Sequence, residues 1–243
     1  MAVTLFISDL HLCASRPRIK TLFFDFLKRT ASAADRLYIL GDLFEHWAGD
    51  DDINDPFNRS IISALSDLSK SGVTVFFMHG NRDFLIGAQF CKASVVTLLS
   101  DPTLIDIYGV TTLLMHGDTL CTDDVDYQNF RLQVRDPNWQ QQFLSQPLAT
   151  RKAIIEDLRR RSETEKQHKS MDIMDVTAAS VDIALRAHHY PRLIHGHTHR
   201  PAHHVHNVDG KICERYVLTD WYEHGGYLRC DENGCEAMII ASA

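Results

Sequence analysis

Five short apolar runs in the chain each end at a junction that carries a carboxylate, amide or imidazole side chain, and four of these junctions contain glycine. Such runs, bounded by turn residues, are typical of buried strands. Because the carboxyl ends of parallel strands meet at one edge of a sheet, we expect the junction side chains to converge there. The runs are Leu5–Ile7, Leu37–Leu40, Val73–Met78, Leu113–Met115 and Leu193–Ile194.

Helical patterns connect the first three runs. Apolar residues recur on one helical face over Ile19–Leu27, and again over Phe57–Leu68, where the pattern stops at Gly72. Two successive strand–helix–strand units predict parallel strands. After His199, short apolar stretches alternate with glycine-containing turns, which predicts a second, mostly antiparallel sheet.

The chain has 243 residues, of which 44% are hydrophobic, so it is long enough to bury a substantial core. We predict a single domain over residues 1–243 with a helical insertion at about 123–190, where no strand pattern is present. The formal net charge of -7 disfavours a broad nucleic-acid-binding surface. No apolar run reaches the ~18 residues needed to span a bilayer.

Six cysteines are scattered along the chain without a CxxC pair. This distribution predicts reduced thiols in a cytosolic protein rather than a disulfide framework. The cysteines are Cys13, Cys91, Cys121, Cys213, Cys230 and Cys235.

The insertion carries both a basic and an apolar segment. Lys and Arg side chains are frequent over Arg151–Lys169, and apolar side chains over Phe143–Leu158. An amphipathic basic helix of this kind can hold an anionic lipid or rest on an acidic bilayer. The alternative is a solvated charged face over an ordinary helical core.

The junction side chains together form a set of donors for metal ions. The set mixes carboxylate and amide oxygens with imidazoles and contains no cysteine, which suits manganese, iron, zinc or cobalt. Asp42 is the natural carboxylate to bridge two ions. Two cations bridged in this way lie roughly 3.5 to 4 Å apart, lower the pKa of a shared water and present hydroxide to a phosphorus atom. The seven predicted ligands are Asp9, His11, Asp42, Asn81, His116, His197 and His199.

In order along the chain, the junctions read DxH, GD, GNRD, H and GHTH. This series resembles the motif pattern of the calcineurin-like metallophosphoesterases. The resemblance implies an α/β fold, a sandwich of two mixed β-sheets flanked by helices, here with a helical cap insertion. It also implies that the first of two metal ions is held by Asp9, His11, Asp42 and His199, and the second by Asp42, Asn81, His116 and His197.

Arg82 departs from the histidine that many members of that family carry at this position, where it can protonate a leaving alkoxide. Arginine cannot act as an acid at neutral pH, but its planar guanidinium binds phosphate oxygens in two places at once. A phosphate monoester, whose second pKa is about 6, leaves readily as its anion. We therefore expect cleavage of a pyrophosphate rather than of a simple ester. The residues expected to take part in catalysis are Asp42, Asn81, Arg82 and His11.

Longer segments are similar to one branch of that family, whose members cleave the pyrophosphate of an acylated UDP-sugar in lipid A synthesis. The resemblance covers most of the chain and implies two Mn2+ ions, UMP as a product, and a peripheral position on the cytoplasmic side of the bacterial inner membrane. It implies substrate contacts by Asn81, Arg82, Asp124, Ser162, Lys166, Lys169 and His197. The segments are Phe6–Leu12, Tyr38–Asp51, Met78–Gly87, Leu113–Asp124 and Leu193–Ala202.

Two alternatives remain open. The first is another dinuclear metallophosphoesterase, such as a phosphodiesterase or a phosphatase, against which Arg82 and the basic insertion argue. The second is a non-catalytic scaffold of the same fold, against which the complete ligand set argues. No obligate protein partner is expected, and no site residue is assigned after about residue 205.

Overall fold

The structure is a computed structural model that describes residues 2–166, 173 and 175–240, with the backbone alone for 161–166. Two β-sheets and several α-helices make up this part of the chain. The strands are β1 (Thr4–Ile7), β2 (Arg36–Leu40), β3 (Thr74–Met78), β4 (Thr97–Leu99), β5 (Thr103–Ile107), β6 (Val110–Leu114), β7 (Arg192–His195), β8 (Ala202–Val208), β9 (Lys211–Val217), β10 (Gly225–Asp231) and β11 (Gly234–Ile240). The helices are α1 (Pro17–Arg29), α2 (Pro56–Lys70), α3 (Ala88–Ser94), α4 (Val125–Arg135), α5 (Pro137–Leu144), α6 (Leu148–Lys166) and α7 (Ala178–Ala187).

The first sheet has the strand order β11-β10-β1-β2-β3-β4, and β1 to β4 run parallel. The crossover helices α1 and α2 each begin at a proline, whose fixed φ suits the first turn of a helix. Asp55 strengthens the start of α2, because its side chain accepts hydrogen bonds from the amides of Phe57 and Asn58. The parallel strands predicted from the two strand–helix–strand units are confirmed.

The second sheet has the strand order β5-β6-β7-β9-β8 and is mixed. β6, β7 and β9 run parallel, whereas β5 and β8 are antiparallel to their neighbours. The prediction of a separate C-terminal antiparallel sheet is therefore wrong in part. β8 and β9 do form a hairpin, but β10 and β11 join the first sheet, where β10 pairs with β1 and removes it from the edge.

The two sheets face each other across a shared apolar core. Phe6, Tyr38 and Met78 of the first sheet pack with Leu114 and Ile194 of the second. The opposite face of the first sheet packs against α1, α2 and α3, and α7 covers the outer face of the second sheet. This succession of helices, sheet, sheet and helix confirms the predicted α/β sandwich.

The segment between β6 and β7 is helical wherever the structure describes regular elements in it, as the sequence predicts. Its last helix, α7, belongs to the outer layer of the second sheet. We refer to the other three helices, α4, α5 and α6, as the cap. Phe143 of α5 and Ile154 of α6 attach the cap to the core beside the first sheet. None of the described helices combines the length and apolar content needed to cross a membrane.

The basic side chains of α6 that the structure describes are held by acidic partners, which neither interpretation of the insertion predicted. Three of the four partners lie in the segment 45–52, shortly after the Asp42 junction. Arg151 is only 2% exposed and also donates to the Ala48 carbonyl. The three pairs with residues of that segment therefore fasten the cap to the sandwich. The pairs are Arg151 with Asp51, Lys152 with Asp52, Arg159 with Glu45, and Arg160 with Asp157.

Cys230 and Cys235 form a disulfide, so the prediction of six reduced thiols is wrong for this pair. The β10–β11 hairpin places the two residues directly opposite each other. The spacing in the sequence did not reveal the pair, because it becomes evident only once the register of the hairpin is known. The other cysteines, Cys13, Cys91, Cys121 and Cys213, are free thiols.

Candidate active site

All five junctions lie at the carboxyl ends of parallel strands, along the line where the two sheets meet. β1, β2 and β3 of the first sheet lead into Asp9, Asp42 and Asn81. β6 and β7 of the second sheet lead into His116 and His197. The side chains converge as expected, but between two sheets rather than at the edge of one. The expectation of a single sheet edge was wrong because β6 and β7 pair in the second sheet.

A first cluster of donors consists of Asp9, His11 and His199. The Oδ1 atom of Asp9 lies 3.5 Å from Nε2 of His199, and the Nε2 atoms of His11 and His199 lie 3.3 Å apart. One donor atom from each of the three residues falls within 4.8 Å of the others. This spacing allows all three to contact one cation.

A second cluster consists of Asn81, His116 and His197. The Oδ1 atom of Asn81 is 3.0 Å from Nε2 of His116 and 3.0 Å from Nδ1 of His197. An amide oxygen and two imidazole nitrogens therefore meet at a second point. The sequence predicted both groups of residues, and the structure brings the members of each group together.

Asp42 lies between the two clusters. Its Oδ2 atom is 3.7 Å from Nε2 of His11, and its Oδ1 atom is 3.9 Å from Nε2 of His116. One carboxylate thus directs one oxygen to each cluster, which is what a ligand shared by two ions requires.

The donor atoms are arranged to bind cations rather than to hydrogen-bond with one another. Asp9 Oδ1 is buried and has no hydrogen-bond partner among the described residues. A buried polar atom without a partner costs about 1–3 kcal/mol. The ring of His116 lies with Nδ1 2.9 Å from the Leu40 carbonyl, which orients that nitrogen as the donor and leaves the lone pair of Nε2 for a ligand. The residues present therefore fit a pair of metal ions.

The pKa values of Asp42 and His116 also show that the site favours bound positive charge. Burial, together with the carboxylates of Asp83 and Asp9, raises the pKa of Asp42 to about 7 in spite of His116. Burial opposes charge on His116 as well, but Asp42, Asp118 and Asp9 raise its pKa to about 9. In the metal-free protein a proton supplies part of the positive charge that a dication would bring.

Five of the seven predicted ligands have left-handed backbone conformations, with φ between 50° and 70°. Residues other than glycine rarely adopt this region, and strain of this kind persists only where the surroundings enforce it. The sharp turn at each junction therefore depends on contacts around the site rather than on local preference. The five residues are Asp9, His11, Asp42, His197 and His199.

Two junction glycines are required because carboxylates approach their backbone. A Cβ atom on Gly80 would lie 2.1 Å from Oδ1 of Asp42, and one on Gly196 would lie 2.3 Å from Oδ2 of Asp9. Both contacts are shorter than any real Cβ contact, so even alanine would displace a predicted ligand.

Asp83 holds two of the junction loops together from beneath. Its fully buried carboxylate accepts hydrogen bonds from the backbone amides of Gly80 at 2.9 Å and Leu43 at 2.8 Å. Longer bonds come from the amides of Asp42 and Phe44 at 3.3 Å each. The carboxylate thereby satisfies backbone amides in both the left-handed turn at Asp42 and the turn that carries Asn81.

Asp118 is a second buried carboxylate, and it joins the loop after His116 to the cap. It accepts hydrogen bonds from the hydroxyl of Tyr127 at 2.6 Å and from Nε of Arg131 at 2.8 Å, both on α4. Burial would raise the pKa of Asp118, but His116, His197 and Arg131 hold it well below its usual value. The cap is thus fastened to the loop that follows His116 by an ionised carboxylate.

Arg82 is partly buried next to the donors, and its backbone amide donates to Oδ1 of Asp42 at 2.8 Å. Among the described residues its guanidinium has no hydrogen-bond partner, so the group is available to a ligand. Asp124 is the N-cap of α4, where its side chain accepts from the Tyr127 amide at 3.1 Å. The side chains of Ser162 and Lys166, and all of Lys169, lie outside the described residues, so these substrate contacts stay predictions.

The sequence did not predict two residues beside the first cluster, Glu45 and Tyr222. Glu45 is 5% exposed, with Oε2 3.7 Å from Nδ1 of His11. The ring of Tyr222 stacks on that of His11, with 5.4 Å between centroids and 9° between planes. Tyr222 lies in the segment after about residue 205, where the sequence assigned no site residue. Neither residue lies in a junction, so no motif indicated them.

Residues 2–201 match the family model of the calcineurin-like phosphoesterases. The chain therefore belongs to the calcineurin-like phosphoesterase family. Its sequence is 57% identical to a UDP-2,3-diacylglucosamine hydrolase of Aromatoleum aromaticum, over 95% of this chain and 94% of that protein. A protein of the same description from Xanthomonas campestris is 51% identical over 98% of this chain and 99% of its own length. Another, from Aeromonas salmonicida, is 52% identical over 93% and 89%.

We predict that the metal-free protein loses stability as the pH falls from 6.5 to 4, in part through His195. Burial lowers the pKa of His195 to about 4. Its neutral ring donates to the Gly196 carbonyl and accepts from Arg215. A lowered folded-state pKa contributes stability that is complete above the unfolded value of 6.5 and is lost as the pH falls through about 4. The measurement is the midpoint of urea unfolding in EDTA across this range.

The matched variant for this prediction is His195→Gln, which retains a donor and an acceptor but does not titrate. Its unfolding midpoint should fall less steeply over the same pH window. His116 does not interfere, because the stability from its raised pKa is lost only as the pH rises towards about 9. Identical slopes for the two proteins would contradict the role given to His195.

Proposed function

We propose that the protein hydrolyses the pyrophosphate bond of UDP-2,3-diacylglucosamine to UMP and 2,3-diacylglucosamine 1-phosphate, a step of lipid A biosynthesis. The observation that carries this proposal is the similarity, over nearly the whole chain, to relatives described as hydrolases of that compound. Two donor clusters on either side of the Asp42 carboxylate support the proposal.

Two metal ions, for which we propose manganese, would supply a water of lowered pKa as the nucleophile and would neutralise charge on the phosphates. We propose that the ions are held by Asp9, His11, Asp42, Asn81, His116, His197 and His199. The chain's own contribution is positional. Asp42 directs an oxygen to each cluster, and Asp83 maintains the turns that carry Asp42 and Asn81. The Nδ1 atom of His116 is hydrogen-bonded to the Leu40 carbonyl, which holds the ring with Nε2 directed at the proposed ion.

The chemistry of Arg82 favours a phosphoanhydride as the substrate. Its guanidinium can bind two phosphate oxygens at once and stabilise charge that develops on them, but it cannot protonate a leaving group. A sugar phosphate leaves as its anion without such help, whereas an alkoxide does not. Attack on the phosphorus next to uridine would therefore release the acylated sugar 1-phosphate directly.

The cap supplies the remaining part of the proposed substrate site. Its helices adjoin the donor clusters through Tyr127, whose ring centroid lies 5.8 Å from that of His197. We propose that Asp124, Ser162, Lys166 and Lys169 contact the acylated sugar phosphate together with Asn81, Arg82 and His197. A lipid substrate also leads us to propose a peripheral position on the cytoplasmic side of the inner membrane.

A substrate panel assayed with Mn2+ tests the proposed function. We expect hydrolysis of UDP-2,3-diacylglucosamine and no turnover of nitrophenyl phosphodiesters, phosphoproteins or DNA. Efficient cleavage of the diesters would instead indicate a general phosphodiesterase. A protein that binds Mn2+ but hydrolyses none of these compounds would indicate a non-catalytic scaffold.

The point of attack follows from hydrolysis in isotopically labelled water. Attack on the phosphorus next to uridine should place the label in UMP, as mass spectrometry of the two products would show. Label in the lipid phosphate would mean that the other phosphorus is attacked. That result would reverse the orientation of the substrate without changing its identity.

The role of Arg82 can be tested by Arg82→Ala. Loss of a group that stabilises charge at the transition state should lower kcat by about 100-fold. Arg82→Lys should recover only part of this loss, since an ammonium cannot bind two oxygens in the same way. Exposed Lys28 near the end of α1 offers a control, because Lys28→Ala should change kcat by less than about twofold. Unchanged kcat in Arg82→Ala would remove Arg82 from the mechanism.

A further inference from the structure

Glu45 occupies a position between the first donor cluster and the cap. Its backbone amide donates to the Leu12 carbonyl at 3.1 Å, which holds the segment 42–45 beside the segment that carries His11. The side chain is 5% exposed. A buried carboxylate is stable only when positive charges or donors surround it.

Two arginines from different parts of the fold supply that charge. Arg16, at the start of α1, forms an ion pair with Oε2 of Glu45 and also donates to the backbone carbonyl of His11 at 2.6 Å. Arg159 of the cap helix α6 places Nη2 3.0 Å from Oε1 of Glu45. One carboxylate thus joins the sandwich and the cap.

The third neighbour of Glu45 is the predicted metal ligand His11. Its Nδ1 atom lies 3.7 Å from Oε2 of Glu45, which is longer than a hydrogen bond. That nitrogen is buried and has no partner among the described residues, while Nε2 of the same ring faces the first cluster. A carboxylate behind a metal-ligating imidazole commonly accepts its second N–H and orients the ring.

We propose that Glu45 is a positioning residue that couples metal binding to docking of the cap. A cation held by Nε2 of His11 would make the N–H at Nδ1 a better donor, so Nδ1 would form with Glu45 the hydrogen bond that the 3.7 Å separation does not yet allow. The same carboxylate holds Arg159, so a well-ordered Glu45 keeps α6 in place. Coupling between two sites is reciprocal, so docking of α6 must in turn strengthen metal binding.

This inference rests on the metal site of the proposed function, but not on the identity of the substrate. Its test uses Mn2+ alone, with titration calorimetry for affinity and hydrogen–deuterium exchange for α6. In the wild-type protein Mn2+ should slow exchange over residues 148–160. Glu45→Gln should weaken Mn2+ binding by about tenfold and remove the effect of Mn2+ on α6 exchange.

Arg159→Gln is the decisive variant, because Arg159 is joined to His11 through Glu45 and its loss leaves the first cluster unchanged. It should weaken Mn2+ binding severalfold, and the double variant should be no weaker than Glu45→Gln alone. Lys152→Gln is the matched control, since Lys152 fastens the same helix to Asp52 instead. It should leave Mn2+ affinity within about twofold of the wild type.

The outcomes separate the two claims. Unchanged Mn2+ affinity in Arg159→Gln, or an equal loss in Lys152→Gln, would overturn the coupling through Glu45. Absence of Mn2+ binding by the wild-type protein would overturn both the coupling and the proposed metal site. Normal coupling in a protein that does not hydrolyse UDP-2,3-diacylglucosamine would support the inference and refute only the proposed substrate.

Discussion

Two buried carboxylates, Asp9 and Asp42, lie among imidazoles where the carboxyl ends of strands from the two sheets meet. The surrounding structure depends on how these two charges are compensated. Neither sheet alone could assemble this group, because the first supplies the carboxylates and the second supplies His116 and His197. Burial of like charges is unfavourable unless cations are present. The two-sheet sandwich is therefore best understood as a rigid frame that concentrates negative charge for positive ions.

Bringing these negative charges together requires unfavourable backbone conformations around the site. Five of the predicted ligand residues adopt left-handed conformations that only glycine tolerates easily, and the surrounding contacts must enforce them. Asp83 stabilises the turns of the first sheet, and Asp118 joins the loop after β6 to α4. Because Asp118 and Glu45 also bind helices of the cap, the groups that support the donors also position the cap. The same carboxylates therefore determine both the charge at the site and the position of the cap beside it.

The sequence predicted the parallel strands and the seven donors because each junction combines a buried run with a polar turn, a pattern that local chemistry dictates. It could not predict which sheet each strand joins, since β10 is recognised as a neighbour of β1 only from long-range pairing. Glu45 and Tyr222 were missed for the same reason, because their relation to His11 is purely spatial. The sequence did not predict the ion pairs of Arg151 and Lys152, because their acidic partners lie about 100 residues earlier in the chain.

The most direct test of the account is a crystal structure of the protein grown with Mn2+, with anomalous diffraction used to locate the metal. We predict two peaks roughly 3.5 to 4 Å apart, with one oxygen of Asp42 directed at each. One peak should lie among Asp9, His11 and His199, and the other among Asn81, His116 and His197. A single peak, or none at saturating Mn2+, would contradict the claim that these side chains form a dinuclear site.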